Sequence, residues 1–493
     1  MRKFVLLTAT LVATLSFHAS ADQPATLTYS KLWTYGHGIT TPGQVAEIPA
    51  YDDKTGTIWV AGVVGVDVLD ADTGALVGHV DVSPYGLVNS VAIRNGMAAL
   101  AVEAVGDRRN PGSVLFYDTR SRTLVAGNFQ VTVGALPDML TFTHDGSRLL
   151  VANEGTPNAV ADAAYTPGFD PVGSVSIIDV ATRSLIASPG FAGVPQSGSN
   201  LRTNVGMNFE PEYIAVNTEG TRAWVTLQEA NAIAVLDLEQ NAFTGIVGLG
   251  ARDFTLPGNQ IDPKDNDGVV LFRSVAAKGL YMPDSIAEYS YRGQSFLVMA
   301  NEGDFREDNV DRAAASSFGG VNPLDRLRVS SVDSSAGNLF AAGARSFSIR
   351  NDDGELVYDS GDLLDKQARL RGLYDDARSR DKGVEPEGVE LLNISGRTYA
   401  FIGLERTLQS AVAIFDITQP TSVQFIDMIV TPGDLAPEGL VAFHARGEYY
   451  LAIANETVAP GQSTSNTSLY RLDVVKPWTG SGAPAGQSSS LIR

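Results

Sequence analysis

The chain contains no cysteine. Disulfide stapling and thiolate metal sites are therefore excluded. Histidine is almost as scarce, at five residues. Outside the first 21 residues only His37, His79, His144 and His444 occur, and they are far apart in sequence. That is a poor basis for a histidine-rich zinc centre or Ser-His-Asp catalysis. Basic residues are outnumbered, 36 Lys and Arg against 56 Asp and Glu, for a formal net charge of −20. Such a surface repels nucleic acid and anionic membrane, so neither is expected as a partner.

Long apolar runs are missing apart from residues 4–17. That run follows Arg2 and Lys3 and precedes Ala19-Ser20-Ala21. The pattern reads as a secretory signal peptide over 1–21, too short to span a bilayer. The remainder is expected to be exported, periplasmic or secreted, without a membrane span, and monomeric. Residues 22–475 read as one folded domain, and 476–493, rich in Gly, Ser and Ala, as a flexible tail.

Glycine is plentiful, at 49 residues, and it falls at regular places. The stretch 386–405 begins with Pro386-Glu387 and ends with Glu405, with Gly396 midway. The apolar runs 389–394 and 399–404 flank that glycine, which predicts a hairpin bringing both acids to its open end. The pattern recurs. Asn89, Gly96 and Glu103 make a second example, and Asp138, Gly146 and Glu154 a third. The series continues with Glu212, Gly220 and Gln228; Asp284, Gly293 and Glu302; and Glu438, Gly447 and Glu456. A first unit starts at Val45 and turns at Gly56. Most hairpins are followed by a third apolar run, such as 175–178, 233–236 and 411–415. Seven units of this length predict an all-β fold, a seven-bladed β-propeller. Long insertions at 156–173 and 305–383 leave from the acidic end, so loops are expected over that face. Part of the first, 158–170, is polar enough for a lid.

In a propeller the first strand of each blade lines the channel. Asp138, Glu212, Asp284, Glu387 and Glu438 should ring one mouth, with Glu154, Glu302, Glu405 and Glu456 beside them and Glu210, Asp304 and Glu385 close by. So many carboxylates repel one another unless something positive joins them. Oxygen donors without thiols favour Ca²⁺, then Mg²⁺ or Mn²⁺, and so many donors leave a place for a second divalent or trivalent ion. The plainer alternative is structural: the acids cap backbone N–H groups, or pair with Arg306, Arg378, Arg380, Lys382 and Arg406. A second cation candidate, Asp262, Asp265 and Asp267 before Gly268, reads equally well as an Asx-turn loop.

Several motifs carry a family resemblance. Glu210-Pro-Glu-Tyr-Ile, Met282-Pro-Asp-Ser-Ile with Ala300-Asn-Glu-Gly-Asp, Glu385-Pro-Glu-Gly-Val with Gly403-Leu-Glu-Arg, and Ala436-Pro-Glu-Gly-Leu with Ala454-Asn-Glu resemble the choice-of-anchor I propellers. The family is related to the mesenchyme-specific cell-surface glycoprotein, and some members are described as atypical alkaline phosphatases. The resemblance implies an exported metal-dependent hydrolase acting on a small phosphorylated substrate. Arg378, Arg380, Lys382 and Arg406 are the candidate phosphate-binding, catalytic residues. The alternatives are a non-catalytic calcium-binding propeller for a protein, glycan or mineral partner, and a lactonase-like propeller with one calcium.

Overall fold

The computed structural model describes residues 26–156, 170–203, 209–306, 310–457 and 464–475. The signal peptide, most of the 158–170 lid and the C-terminal tail proposed above lie outside them.

Within the predicted units, alternating small and β-branched residues between glycine turns form antiparallel strands. Type I′ hairpins close several of them. Ser395-Gly396 (φ 53° and 82°) and Arg446-Gly447 (φ 54° and 84°) each supply two consecutive left-handed residues. Among the described residues, seven sheets contain four or five strands each. In chain order their innermost strands are Pro49–Asp52, Val88–Arg94, Pro137–Phe142, Pro211–Val216, Ile286–Tyr291, Pro386–Ile394 and Leu435–Ala445. Each innermost strand contacts the next, and the last contacts the first. The cycle surrounds a channel, and the fold is a β-propeller. The sheet containing Leu435–Ala445 takes its outermost strand from the N-terminal end: Thr26–Gly36 pairs antiparallel with Asn466–Val475.

The core lies between blades. Trp59, Val66 and Val68 of the first blade pack with Val91, Leu100 and Leu115 of the second. Phe347 and Val298 of the fifth pack with Phe415 and Ile402 of the sixth. Similar clusters fill the other interfaces, including that between the last blade and the first. Fully burying one such large side chain contributes about 1.5–3 kcal/mol. The apolar seams therefore hold the ring rigid, and the channel wall is free to carry polar groups.

One part of the sequence reading needs correction. The segment 305–383 is not one insertion. It contains the two outer strands of the fifth blade, Ser346–Asn351 and Leu356–Asp359, and a helix, Leu363–Leu370. The inserted part returns a short sheet in which Phe340–Ala341 joins Lys278–Leu280 and Ala251–Asp253, and a ribbon of Arg312–Ala314 with Arg328–Ser330.

Candidate functional site

A repeated backbone device positions the acids. Leu136, Met282, Glu385 and Ala436 each precede a proline–acid pair, and each has positive φ, between 46° and 52°. Left-handed backbone at non-glycine residues costs on the order of 1–3 kcal/mol and marks places where the fold imposes a geometry. Just after three of these prolines, and after Pro211, the register slips, between Pro137 and Leu140, Pro386 and Val389, Pro437 and Leu440, and Pro211 and Ile214. Such a bulge re-aims the extra residue. Here it turns Asp138, Glu212, Glu387 and Glu438 towards the channel mouth.

The same left-handed residues tie down the second strand. The Leu136 carbonyl accepts the Glu154 N–H at 2.9 Å, and the Glu385 carbonyl accepts the Glu405 N–H at 2.9 Å. One residue before Glu154, Glu302 and Glu456, the side chains of Asn153, Asn301 and Asn455 are fully buried. They donate to Ser176, Ser346 and Asn466 on the third strand, at 3.0, 3.2 and 3.0 Å. Glu154 is thus carried by backbone fixed on both sides.

These elements enclose a cavity of about 440 Å³. Asp138, Glu154, Glu212, Asp284, Glu302, Asp304, Glu387, Glu405, Glu438 and Glu456 all line it, joined by Glu47 and Glu229. Among the described residues, Lys382 and Arg406 are the only basic ones in that lining. Two further expected acids lie outside it. Glu210 is buried just before Pro211. Glu385 is 1% exposed and is matched by Arg378 and by Lys382, whose Nζ is 3.1 Å away.

Arg378 and Arg380 are also outside the lining. Arg378 donates through Nε to Glu385 at 2.7 Å, and Arg380 lies 3.0 Å from Asp265. For these two and Glu385 the geometry is that of internal ion pairs. The 262–267 loop is likewise structural: Asp262 accepts the N–H groups of Lys264 and Leu271, and Asp265 pairs with Arg326 and Arg380.

Crowding shows in the acid strengths. Burial, reinforced by Glu456 and Asp138, pushes Glu47 up to about 8. Burial raises Asp138 to about 6, with Glu103 adding to it. Burial lifts Asp284 to about 7, although a hydrogen bond from Ser285 opposes this. Burial takes Glu302 to about 8 despite the neighbouring Lys382 ammonium. Glu154, Glu212, Glu387 and Glu438 are held well above the ordinary range by burial and by one another. Burial disfavours the Lys382 ammonium, but Glu302, Glu385 and Asp304 outweigh it and hold its pKa well above normal.

Two groups of carboxylates have donor atoms within 4.8 Å of one another: Glu302, Glu387 and Glu405, and Glu405, Glu438 and Glu456. Glu405 belongs to both. Glu387 Oε2 is buried with no hydrogen-bond partner. An all-oxygen donor set with an unsatisfied buried oxygen fits a hard divalent cation. Gln228 donates to Glu302 at 2.8 Å and Lys382 also pairs with it, so Glu302 is held in place from both sides.

The sequence reading missed Glu47 and Tyr213. Glu47 precedes its proline, Pro49, by two residues, whereas the other ring acids follow theirs; its order in the chain hid it. Tyr213 follows Glu212 directly, and only the bulge turns it into the channel.

No curated protein matches the chain. Among solved structures it is similar to hydrazine synthase of Kuenenia stuttgartiensis, with 11% identity, a TM-score of 0.52, and coverage of 90% of this chain and 99% of that one. A WD40 domain of Toxoplasma gondii coronin has 10% identity, a TM-score of 0.49, and coverage of 94% and 90%. At such identity the first likeness speaks to fold alone. Residues 47–420 match the choice-of-anchor I domain, and the chain belongs to that family.

Proposed function

We propose that the acidic cavity binds divalent cations, calcium foremost, and that the protein is an exported metal-dependent hydrolase of phosphate esters. The observation that carries this reading is the pair of carboxylate triads joined at Glu405. Glu302, Glu387, Glu405, Glu438 and Glu456 would hold the ions. Bound divalent cations supply Lewis acidity towards a phosphoryl group and acidify water. Arg406, 44% exposed in its side chain, is the cavity-lining base best placed to meet a substrate phosphate. Lys382 pairs with Glu302 and, with Gln228, holds it in orientation.

A second reading has its own support. Lys382 and Arg406 are each already paired with a cavity carboxylate, which suits a calcium-binding propeller without catalysis. Hydrolysis of 4-nitrophenyl phosphate and its bis-ester, with calcium and with chelator, separates the two. Chelator-sensitive turnover that disappears in Glu405→Gln supports the hydrolase. Calcium binding without turnover leaves the binding protein, and absence of calcium binding removes both.

A further inference from the structure

Beyond the acidic cavity, the channel continues into a second one of about 450 Å³. Its wall is built from the same strands, three residues further along. At that level Ala50, Ala92, Thr141, Ala215, Ala287 and Val441 line the cavity, and on the sixth blade the equivalent residue is Glu390. One carboxyl therefore stands in a ring of small, mostly apolar side chains. The backbone N–H groups of Ala442, on the neighbouring blade, and of Leu391 face it and favour its ionised form. Glu288 joins it in the wall, with a buried Oε1 that has no hydrogen-bond partner. Among the described residues, no lysine or arginine lines this cavity, and His144, at 3.3 Å from the Val216 carbonyl, is its one nitrogen base.

We propose that this second cavity is a binding site for an organic ammonium ion, a primary amine carrying an apolar chain. The chemistry differs from that of the acidic end. A hard metal ion needs six or more oxygen donors, or retained water, and the side chains at this level offer only the Glu390 carboxylate and the Thr141 hydroxyl. An alkylammonium needs one or two carboxylates for its head and apolar wall for its stem, which this cavity provides. Its volume lies in the range of small-molecule sites. Burial holds Glu390 up at about 8, so the carboxylate gains from a cation that stays with it.

The test is calorimetric titration of the purified protein with n-hexylammonium, n-hexanol and n-hexanoate, all in saturating calcium so that the acidic cavity is occupied. Hexylammonium should bind one to one, at least about tenfold tighter than hexanol, the difference expected of a charged hydrogen bond. Hexanoate should not bind. Glu390→Gln should weaken hexylammonium by about the same factor. Ala287→Leu keeps the carboxyl but fills the ring, and should also abolish binding. Equal affinity for hexylammonium and hexanol in the wild-type protein would overturn the proposal, as would tight binding that survives both substitutions. The outcome is independent of whether the acidic cavity is catalytic.

Discussion

One channel carries two chemistries. At the end where the inner strands begin, twelve carboxylates among the described residues line the wall against two basic groups. A few residues along the same strands, the wall is mostly apolar, with Glu288 and Glu390 set into it and Ser90, Thr141 and His144 among its other polar groups. The backbone accounts for the difference. At the acidic end, bulges and left-handed residues break the regular alternation and force side chains over the mouth. Past the bulge the strands are regular, and alternation packs the Ile214 and Val216 side chains into the inter-blade core with Ala215 between them on the cavity wall. Ile48, Ser90, Met139, Tyr213 and Glu438 line both cavities and form the partition between them.

The largest expected effect separates the two ends by cation. Calcium at about a thousandfold over its dissociation constant should stabilise the protein by roughly 4 kcal/mol, read as a rise in denaturant midpoint. Glu405→Gln should lose most of that rise, because both triads use this residue. Glu390→Gln should lose none of it. If the two substitutions behave alike, the two ends are not chemically distinct.

Next in size is the pH dependence of the cation-free protein. Glu47, Asp138, Asp284 and Glu302 have folded pKa values raised by burial to about 8, 6, 7 and 8. Raised carboxyls bind more protons folded than unfolded. Their stability contribution is complete below about pH 4, the ordinary carboxyl range, and is lost as pH climbs through 6 to 8. Thermal midpoints without calcium should fall from pH 5 to pH 8, by on the order of 5 °C or more. Calcium should remove most of that slope. Glu390→Gln, which deletes one raised carboxyl at the other end, should flatten it only slightly.

Much of this architecture was legible. Glycine midway between polar pairs marked the hairpins, and ten of the twelve selected acids line the cavity. What escaped notice did so for physical reasons. The outer strands of the fifth blade follow the second strand at a distance of more than forty residues, so local spacing could not connect Asn301 with Ser346. Arg378 and Arg380 looked available for a substrate because their partners, Glu385 and Asp265, are set by folding of the insertion. The second cavity carried no motif at all, since a lone glutamate among alanines has meaning only once seven strands meet.

A smaller effect tests the partition. Tyr213 lines both cavities, and its phenol, buried and facing Asp284, Glu438, Asp138 and Glu387, is held in its neutral form. Tyr213→Ala should join the two spaces. Calcium and hexylammonium, independent in the wild-type protein, should then compete, so that hexylammonium affinity falls several-fold as calcium is added. Independence retained in the variant would show that the remaining residues divide the channel without it.

The smallest expected effect concerns the strain itself. Ala436 has φ 52° immediately before Pro437-Glu438. Glycine adopts this backbone freely, so Ala436→Gly should raise the stability of the cation-free protein by up to about 1 kcal/mol. Relief has a consequence for the site, because the strained residue is part of what turns Glu438 over the mouth. The calcium-dependent gain should therefore shrink in the same variant. Equal stabilisation with and without calcium would mean that Ala436 only shapes a turn. Opposite changes would tie the left-handed backbone to cation binding, and would explain why three other blades hold a non-glycine residue in the same conformation at the same place.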